Sequence, residues 1–364
     1  MKTTCLHPLH VSQGALMQPF GGFDMPIQYV GIIEEHNAVR NSCGVFDVSH
    51  MGEVLVSGPD AERFVSRIFT NDIFGAPKGK IFYGMMLHPN GGVVDDLLVY
   101  KRADDEYFLV INAANIDKDV AWIEKQAADY HVTVDHQSDR WSELAIQGPD
   151  AEAVMARVLG IDASDLEFYT FKDITTAAGT AAIVSRTGYT GEDGFELYAD
   201  DQTIIEAWRK LMAAGIMPCG LGCRDTLRFE AGLPLYGDEL TDEITPIEAG
   251  LGMFAKIDKP GGFIGSEVCA AQKAEGIKRK VIGLEVHGPA IARHGYEVLT
   301  ADTADVIGHV TTGYHSITLD KNIAMALIDA RYAALGTEVA VRVRRKTFPA
   351  TIIKKRFYTP NYKK

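Results

Sequence analysis

Five cysteines in 364 residues, at positions 5, 43, 219, 223 and 269, are too few and too scattered for a disulfide framework. Cys219 and Cys223 stand close together, but no second Cys or His pair follows at zinc spacing. Buried thiols in a reducing compartment are expected, and no metal site. Long apolar runs are also missing: none approaches the roughly 18–20 residues needed to span a bilayer. The first residues, Met1 to Gln18, lack a basic segment followed by an apolar one, which argues against a secretory signal and for the cytoplasm. Positive charge is in short supply too. A formal charge of −13 disfavours broad binding to nucleic acid or anionic membrane. No His-Glu-x-x-His motif, Gly-x-Ser-x-Gly elbow or obvious Cys–His pair occurs, so metal hydrolysis and acyl-enzyme chemistry have no candidate.

What is present is the balance of a globular protein, 46% apolar and 23% charged, in a chain long enough for two or three cores. One internal repeat organises it. Glu53-Val-Leu-Val-Ser-Gly-Pro-Asp-Ala-Glu62 is echoed by Glu143-Leu-Ala-Ile-Gln-Gly-Pro-Asp-Ala-Glu152. In each copy an apolar strand stops at Gly-Pro, and the Asp stands where it can cap a following helix. Strands are expected at 82–87, 93–100, 107–111, 182–185 and 195–198, with helices at 116–129 and 203–214. Strands and helices mix without strict alternation, which favours an α+β fold of two related halves over a doubly wound parallel sheet. After residue 277 the pattern changes to short strands separated by turn residues, the spacing of a small antiparallel barrel or sandwich. The expected division is therefore 1–276 and 277–364.

Three stretches carry candidate chemistry. In Gly91-Gly-Val-Val-Asp-Asp-Leu-Leu-Val-Tyr100, Asp95 and Asp96 interrupt an apolar strand, and strand alternation should send them to opposite faces. A carboxylate on a partly buried face is costly unless paired, so the pair marks either a site or a strand end that caps backbone. In Arg186-Thr-Gly-Tyr-Thr-Gly-Glu-Asp-Gly-Phe-Glu-Leu197, three glycines mark a tight loop that lets backbone approach a ligand. Tyr189 offers a ring and a hydroxyl there, and Glu196 an acceptor for paired N–H groups; an ordinary hairpin with an exposed Glu reads equally well. In Gly220-Leu-Gly-Cys-Arg-Asp-Thr-Leu-Arg-Phe-Glu-Ala-Gly-Leu-Pro-Leu-Tyr-Gly237, a helix would place Arg224 and Arg228 on one face, either for a ligand or for internal ion pairs. Near the C-terminus, Arg342, Arg344, Arg345, Lys346, Lys354, Lys355, Arg356, Lys363 and Lys364 form a basic stretch without an acid, fit for an acidic partner or simply solvated.

These stretches, with Phe46-Asp-Val-Ser-His-Met-Gly-Glu53 and Asn112-Ala-Ala-Asn115, closely resemble the aminomethyltransferase (T-protein) family of the glycine cleavage system, almost end to end. The resemblance implies two intertwined α+β domains plus a C-terminal antiparallel β-barrel, in a clover-leaf arrangement around a channel. It implies transfer of a methylene carbon from an aminomethyl group on a lipoylated carrier (H) protein to tetrahydrofolate, with release of ammonia. It matches Asp96 to the family's catalytic aspartate. It matches Met51, Tyr83, Asn112, Tyr189, Glu196, Arg224, Tyr236 and Tyr362 to positions that bind folate. Thr312-Gly-Tyr-His-Ser-Ile-Thr-Leu319 departs from the family's usual Ser-Gly-x-x-Ser-Pro-x-Leu, in the barrel rather than at these residues. Two alternatives share the fold: a folate-dependent demethylase of a small methyl donor, and a non-catalytic folate-binding module.

Overall fold

The computed structural model describes residues 1–176 and 178–362, so Lys363 and Lys364 of the basic stretch lie outside the described residues. The chain builds two sheets before it closes the barrel. A five-stranded antiparallel sheet runs in the order Ile81–Leu87, Val93–Ala103, Glu106–Ile111, Gly52–Ser57 and Thr133–His136. A six-stranded sheet runs in the order Phe171–Thr175, Ala181–Ser185, Gly194–Ala199, Ser142–Gln147, Gly44–Asp47 and Met217–Pro218. Gly44–Asp47 belongs to the second sheet, yet the whole first sheet is laid down between it and its partner Ser142–Gln147. The two halves are thus interwoven in sequence.

The repeat occupies equivalent places. Strands Gly52–Ser57 and Ser142–Gln147 each run into a glycine with positive φ, 129° at Gly58 and 132° at Gly148. Added Cβ atoms there would lie 2.6 Å from the His131 carbonyl oxygen and 2.3 Å from that of Ser42, so neither place accepts a side chain. Helices Ala61–Ile68 and Ala151–Val154 follow. Asp60 and Asp150 stand at the N-cap positions, but neither side chain caps its helix. Asp60 accepts instead from the His131 backbone N–H at 2.9 Å, and Asp150 from the Ser42 hydroxyl at 2.9 Å. Each carboxylate fastens a neighbouring segment, a use that local sequence does not reveal.

Strand alternation distributes the apolar residues between two layers. Val54 and Val56 pack beneath helix Ala61–Ile68 with Phe64, Val65 and Ile123. Leu144 and Ile146 pack with Trp208 and Leu211 of helix Asp201–Ala213. The opposite faces share a core in which Ile81, Tyr100, Phe108 and Val110 of one sheet meet Phe171, Ile183 and Tyr198 of the other. The barrel, from Arg279–Val286 to Lys346–Ile353, is closed and antiparallel. Its residues Val281, Ile323, Met325 and Leu327 join Met85, Leu87 and Val93 of the five-stranded sheet and Phe229 of helix Leu221–Glu230 in one cluster. That helix also carries Arg224, so barrel packing fixes where Arg224 stands.

Candidate functional site

The paired aspartates sit where the sheet loses its regularity. Asp95 lies opposite Met86 and Asp96 opposite Met85, with a register slip just beyond Met86. On the other side the ladder to Glu106–Ile111 begins only at Leu98, so residues 93–97 run past their partner strand. The carboxylates part as expected: Leu97 and Val99 enter the core beneath helix Ala61–Ile68 and Leu98 and Tyr100 the core between the sheets, which carries Asp95 to the first side and Asp96 to the second. Both reach the side-chain amide of Asn112, which lies 2.9 Å from Asp95 Oδ1 and 3.1 Å from Asp96 Oδ1. Asp95 is wholly buried and also accepts from the Asn112 backbone at 3.0 Å and from Asn115 at 2.7 Å. Asp96 is half-buried and accepts from the Tyr83 hydroxyl at 2.9 Å.

Burial first, then the charge of Asp95, pushes the Asp96 carboxyl up to about 7, against the pull of Tyr83 and Asn112. Behind the pair, Asp119 projects from helix Ile116–Gln126 and is fully buried. Its carboxyl is pushed up to about 10, by burial and then by its hydrogen bond and repulsion with Asp95. It is therefore held as a neutral acid at neutral pH. Sequence reasoning missed Asp119 and Asn115, although a signal existed. Ile116, Asp119 and Ile123 share the apolar stripe of that helix, and an acid on such a stripe needs a partner.

The other expected residues come from strands, a helix and several loops. Tyr189, in the glycine-rich loop, donates its hydroxyl proton to the Pro234 carbonyl, and its ring lies 4.8 Å from the Arg224 guanidinium. Tyr83 packs edge-on against Phe254 at 4.9 Å. Tyr83, Tyr189 and Tyr169 all feel the charge of Asp96, which places three phenols around one carboxylate. Tyr169 is a further residue missed in sequence; it adopts φ 62°, a strained conformation for a bulky side chain. Tyr236 lies under the Lys118 ammonium at 4.5 Å and donates to Asp242 at 3.1 Å. Tyr362 stacks on Phe168 at 4.2 Å. Met51 packs into the inter-sheet core and also lines a cavity of about 410 Å³ with Ser49, Ile116 and Trp141.

Glu196 is not the exposed hairpin carboxylate of the plainer reading. It is buried in mid-sheet between Ser185 and Ala145, and the Thr187 hydroxyl donates to it. Burial raises its pKa, while Thr187 and then Arg224 favour the anion. Several buried polar atoms in this region have no hydrogen-bond partner among the described residues: Arg224 Nη1, both Glu53 carboxylate oxygens, Glu143 Oε2 and His50 Nδ1. Burial and then Arg224 push His50 down to about 4, so it is neutral. An unanswered guanidinium N–H beside a buried Glu, with tyrosine rings between them and Asp96, suits a flat heterocycle rich in N–H groups.

Two interwoven α+β sheets closed by a C-terminal barrel, with an aspartate pair at their junction, define a particular architectural class, and the comparisons give its family. Residues 6–259 match the family model described as GCVT N-terminal domain, and residues 279–359 match the glycine cleavage T-protein C-terminal barrel domain. The aminomethyltransferase of Caldanaerobacter subterraneus is 50% identical over 100% of this chain and 98% of its own length. That of Bacillus subtilis is 48% identical over 98% and 99%. The solved glycine cleavage system aminomethyltransferase T from Bartonella henselae superimposes with a TM-score of 0.94 at 32% identity, covering 100% of this chain and 99% of that one. The chain belongs to the glycine cleavage T-protein family of aminomethyltransferases.

Proposed function

We propose that this chain takes the aminomethyl group from the dihydrolipoyl arm of the lipoylated H protein and passes its methylene carbon to tetrahydrofolate. Ammonia and 5,10-methylenetetrahydrofolate leave, and the carrier is left reduced. The observation that carries this reading is the half-buried Asp96 carboxylate, oriented by Tyr83 and Asn112 and surrounded by phenols. Tetrahydrofolate supplies the nucleophilic amine nitrogens. Asp96 holds a negative charge where positive charge develops on the transferred carbon, and with a pKa near neutrality it also takes or returns a proton. Glu196 accepts hydrogen bonds from the pterin, Arg224 donates the N–H that nothing else answers, and Tyr83 and Tyr189 supply ring contacts. Asn112 acts by orienting Asp96. Met51, Tyr236 and Tyr362 complete the folate surface in this reading.

End-to-end similarity to aminomethyltransferases favours this reading over a demethylase or a non-catalytic module. All five cysteines are free thiols, which supports a reducing, cytoplasmic setting, and no helix among the described residues is long and apolar enough to cross a membrane. The test is methylenetetrahydrofolate formation from aminomethyl-loaded H protein, with and without tetrahydrofolate. Near-normal turnover in Asp96→Asn would sink the mechanism.

A further inference from the structure

Glu196 does not end at Thr187. The Thr187 hydroxyl that donates to it lies 2.6 Å from the Ser185 hydroxyl. Tyr100 donates to Ser185 at 3.2 Å, and the Tyr100 and Tyr198 hydroxyls lie 2.9 Å apart. Tyr198 stands directly across the strand pair from Glu143 and feels its charge. The chain therefore leaves the six-stranded sheet, passes through Tyr100 of the five-stranded sheet and returns. It is sealed from water: Tyr100, Tyr198 and Ser185 are 0% exposed, Thr187 and Glu143 2%, and Glu196 5%.

The hydroxyl protons have one self-consistent direction. With Glu196 ionised, Thr187 donates to it, Ser185 to Thr187, Tyr100 to Ser185 and Tyr198 to Tyr100. Tyr198 heads the chain, since a phenol that donates needs no donor behind it. Glu143, across the strand pair, is raised well above its ordinary value, by burial first and then by Glu196 and Glu53. Four aligned donors polarise one another toward the carboxylate at the end.

We propose that Tyr198, Tyr100, Ser185 and Thr187 form a positioning relay that holds Glu196 as the acceptor for the pterin edge. This rests on the reading of Glu196 given above. The charged and titratable groups facing Glu196 are Arg224 from helix Leu221–Glu230, Glu143 from the adjacent strand, Tyr198 on its own strand, Tyr100 from the other sheet and Tyr169 from the loop beside it. Arg224 favours the anion and Glu143 disfavours it unless protonated. The relay tips that balance toward the anion.

The experiment is tetrahydrofolate affinity against pH for the full chain. Affinity should fall on the acid side as Glu196 protonates. Tyr100→Phe and Tyr198→Phe should move that fall to higher pH by about one unit, a tenfold weaker binding on its acid limb, with affinity at pH 8.5 within about twofold. The ligand's own titrations are common to every variant and cancel. Glu196→Gln should abolish the acid fall; a Gln variant that keeps it overturns the role of Glu196 and the relay with it. A fall lost in Glu196→Gln but unmoved in both tyrosine variants overturns the relay alone.

Discussion

Two groups of buried carboxylates in this protein behave in opposite ways. Where helix Leu221–Glu230 meets the barrel, Glu230 lies 3.0 Å from Arg40 and 3.3 Å from His36, and accepts from Ser316 and Thr318. Burial alone would raise it, yet His36, Ser316 and Thr318 together hold it well below the usual carboxylate range. Glu239 likewise faces Arg228 at 3.0 Å and two threonine hydroxyls. No arginine answers Asp95, Asp96 or Asp119; Lys118 lies 3.2 Å from Asp119, yet burial and Asp95 outweigh it. The donors at Asp95 and Asp96 are amides and a phenol, and Asp96 and Asp119 are pushed up. Cations and hydroxyls turn the first group into a fastening between parts of the fold. Neutral donors leave Asp96 able to exchange a proton at neutral pH.

The largest effect expected from breaking this contrast is on the fastening. Arg228 is essentially unexposed and serves Asp225 at 2.6 Å as well as Glu239. Arg228→Met leaves those carboxylates without their cation and should cost about 3–5 kcal/mol in denaturant unfolding. A loss under about 1 kcal/mol would show that the cluster does not hold the barrel in place. Asp96→Asn should do the reverse. It should lower kcat/KM by about 10²–10³-fold, or roughly 2.7–4 kcal/mol of barrier, while leaving the unfolding temperature unchanged or higher. Loss of fold and loss of turnover are thereby separated between two sets of acids.

Their pH dependences should also have opposite sign. Asp96 has an ordinary value of 3.8 and a folded value of about 7. Between those limits the folded chain keeps a proton that the unfolded chain releases, so this site weakens the fold as pH rises. Glu230 is depressed below its ordinary 4.5, so its contribution is present above that value and is lost as pH falls through it. Asp96→Asn should therefore gain stability relative to the parent between pH 4 and pH 8, by up to about 4 kcal/mol. Glu230→Gln should be most harmful at pH 7 and lose its penalty in acid. Parallel curves for the two variants would erase the distinction.

The two groups were not equally legible in the sequence. Asp95 and Asp96 stand out because acids inside an apolar strand conflict with their surroundings. Asn112 was reached only through motif resemblance, since nothing local tells that an amide will bridge two carboxylates, whereas Arg224 stood out with Arg228 on one helical face. Glu53 and Glu143 open the two repeat copies in plain view, each in line with inward-facing residues of its strand, but their burial depends on the opposite sheet. The Arg40–Glu230 and Arg228–Glu239 pairs join segments 190 and 11 residues apart. Ion pairing across a fold leaves no periodic trace. The Gly-Pro-Asp turns were readable because φ > 0 at Gly58 and Gly148 is a local demand, whereas the tasks of Asp60 and Asp150 are set by segments far along the chain.

The smallest effect concerns charges that are neither buried nor paired. Arg344, Arg345 and Lys346 form the exposed hairpin tip between barrel strands Glu338–Val343 and Lys346–Ile353. The rest of the chain is acidic, so this tip is proposed as part of the surface that docks the carrier. Exposed charges steer and orient more than they hold, each contributing about 0.2–1 kcal/mol. Changing all three to Glu should weaken H-protein affinity by about tenfold at low salt, and the difference should shrink above about 0.5 M salt, where the Debye length falls below a typical charge separation. Turnover at saturating carrier should stay at the parental rate, because the tip lies far outside the aspartate network. Unchanged carrier affinity at low salt would return the basic stretch to its plain role as a solvated edge, and the acid-rich interior would then be the only place where charge serves function.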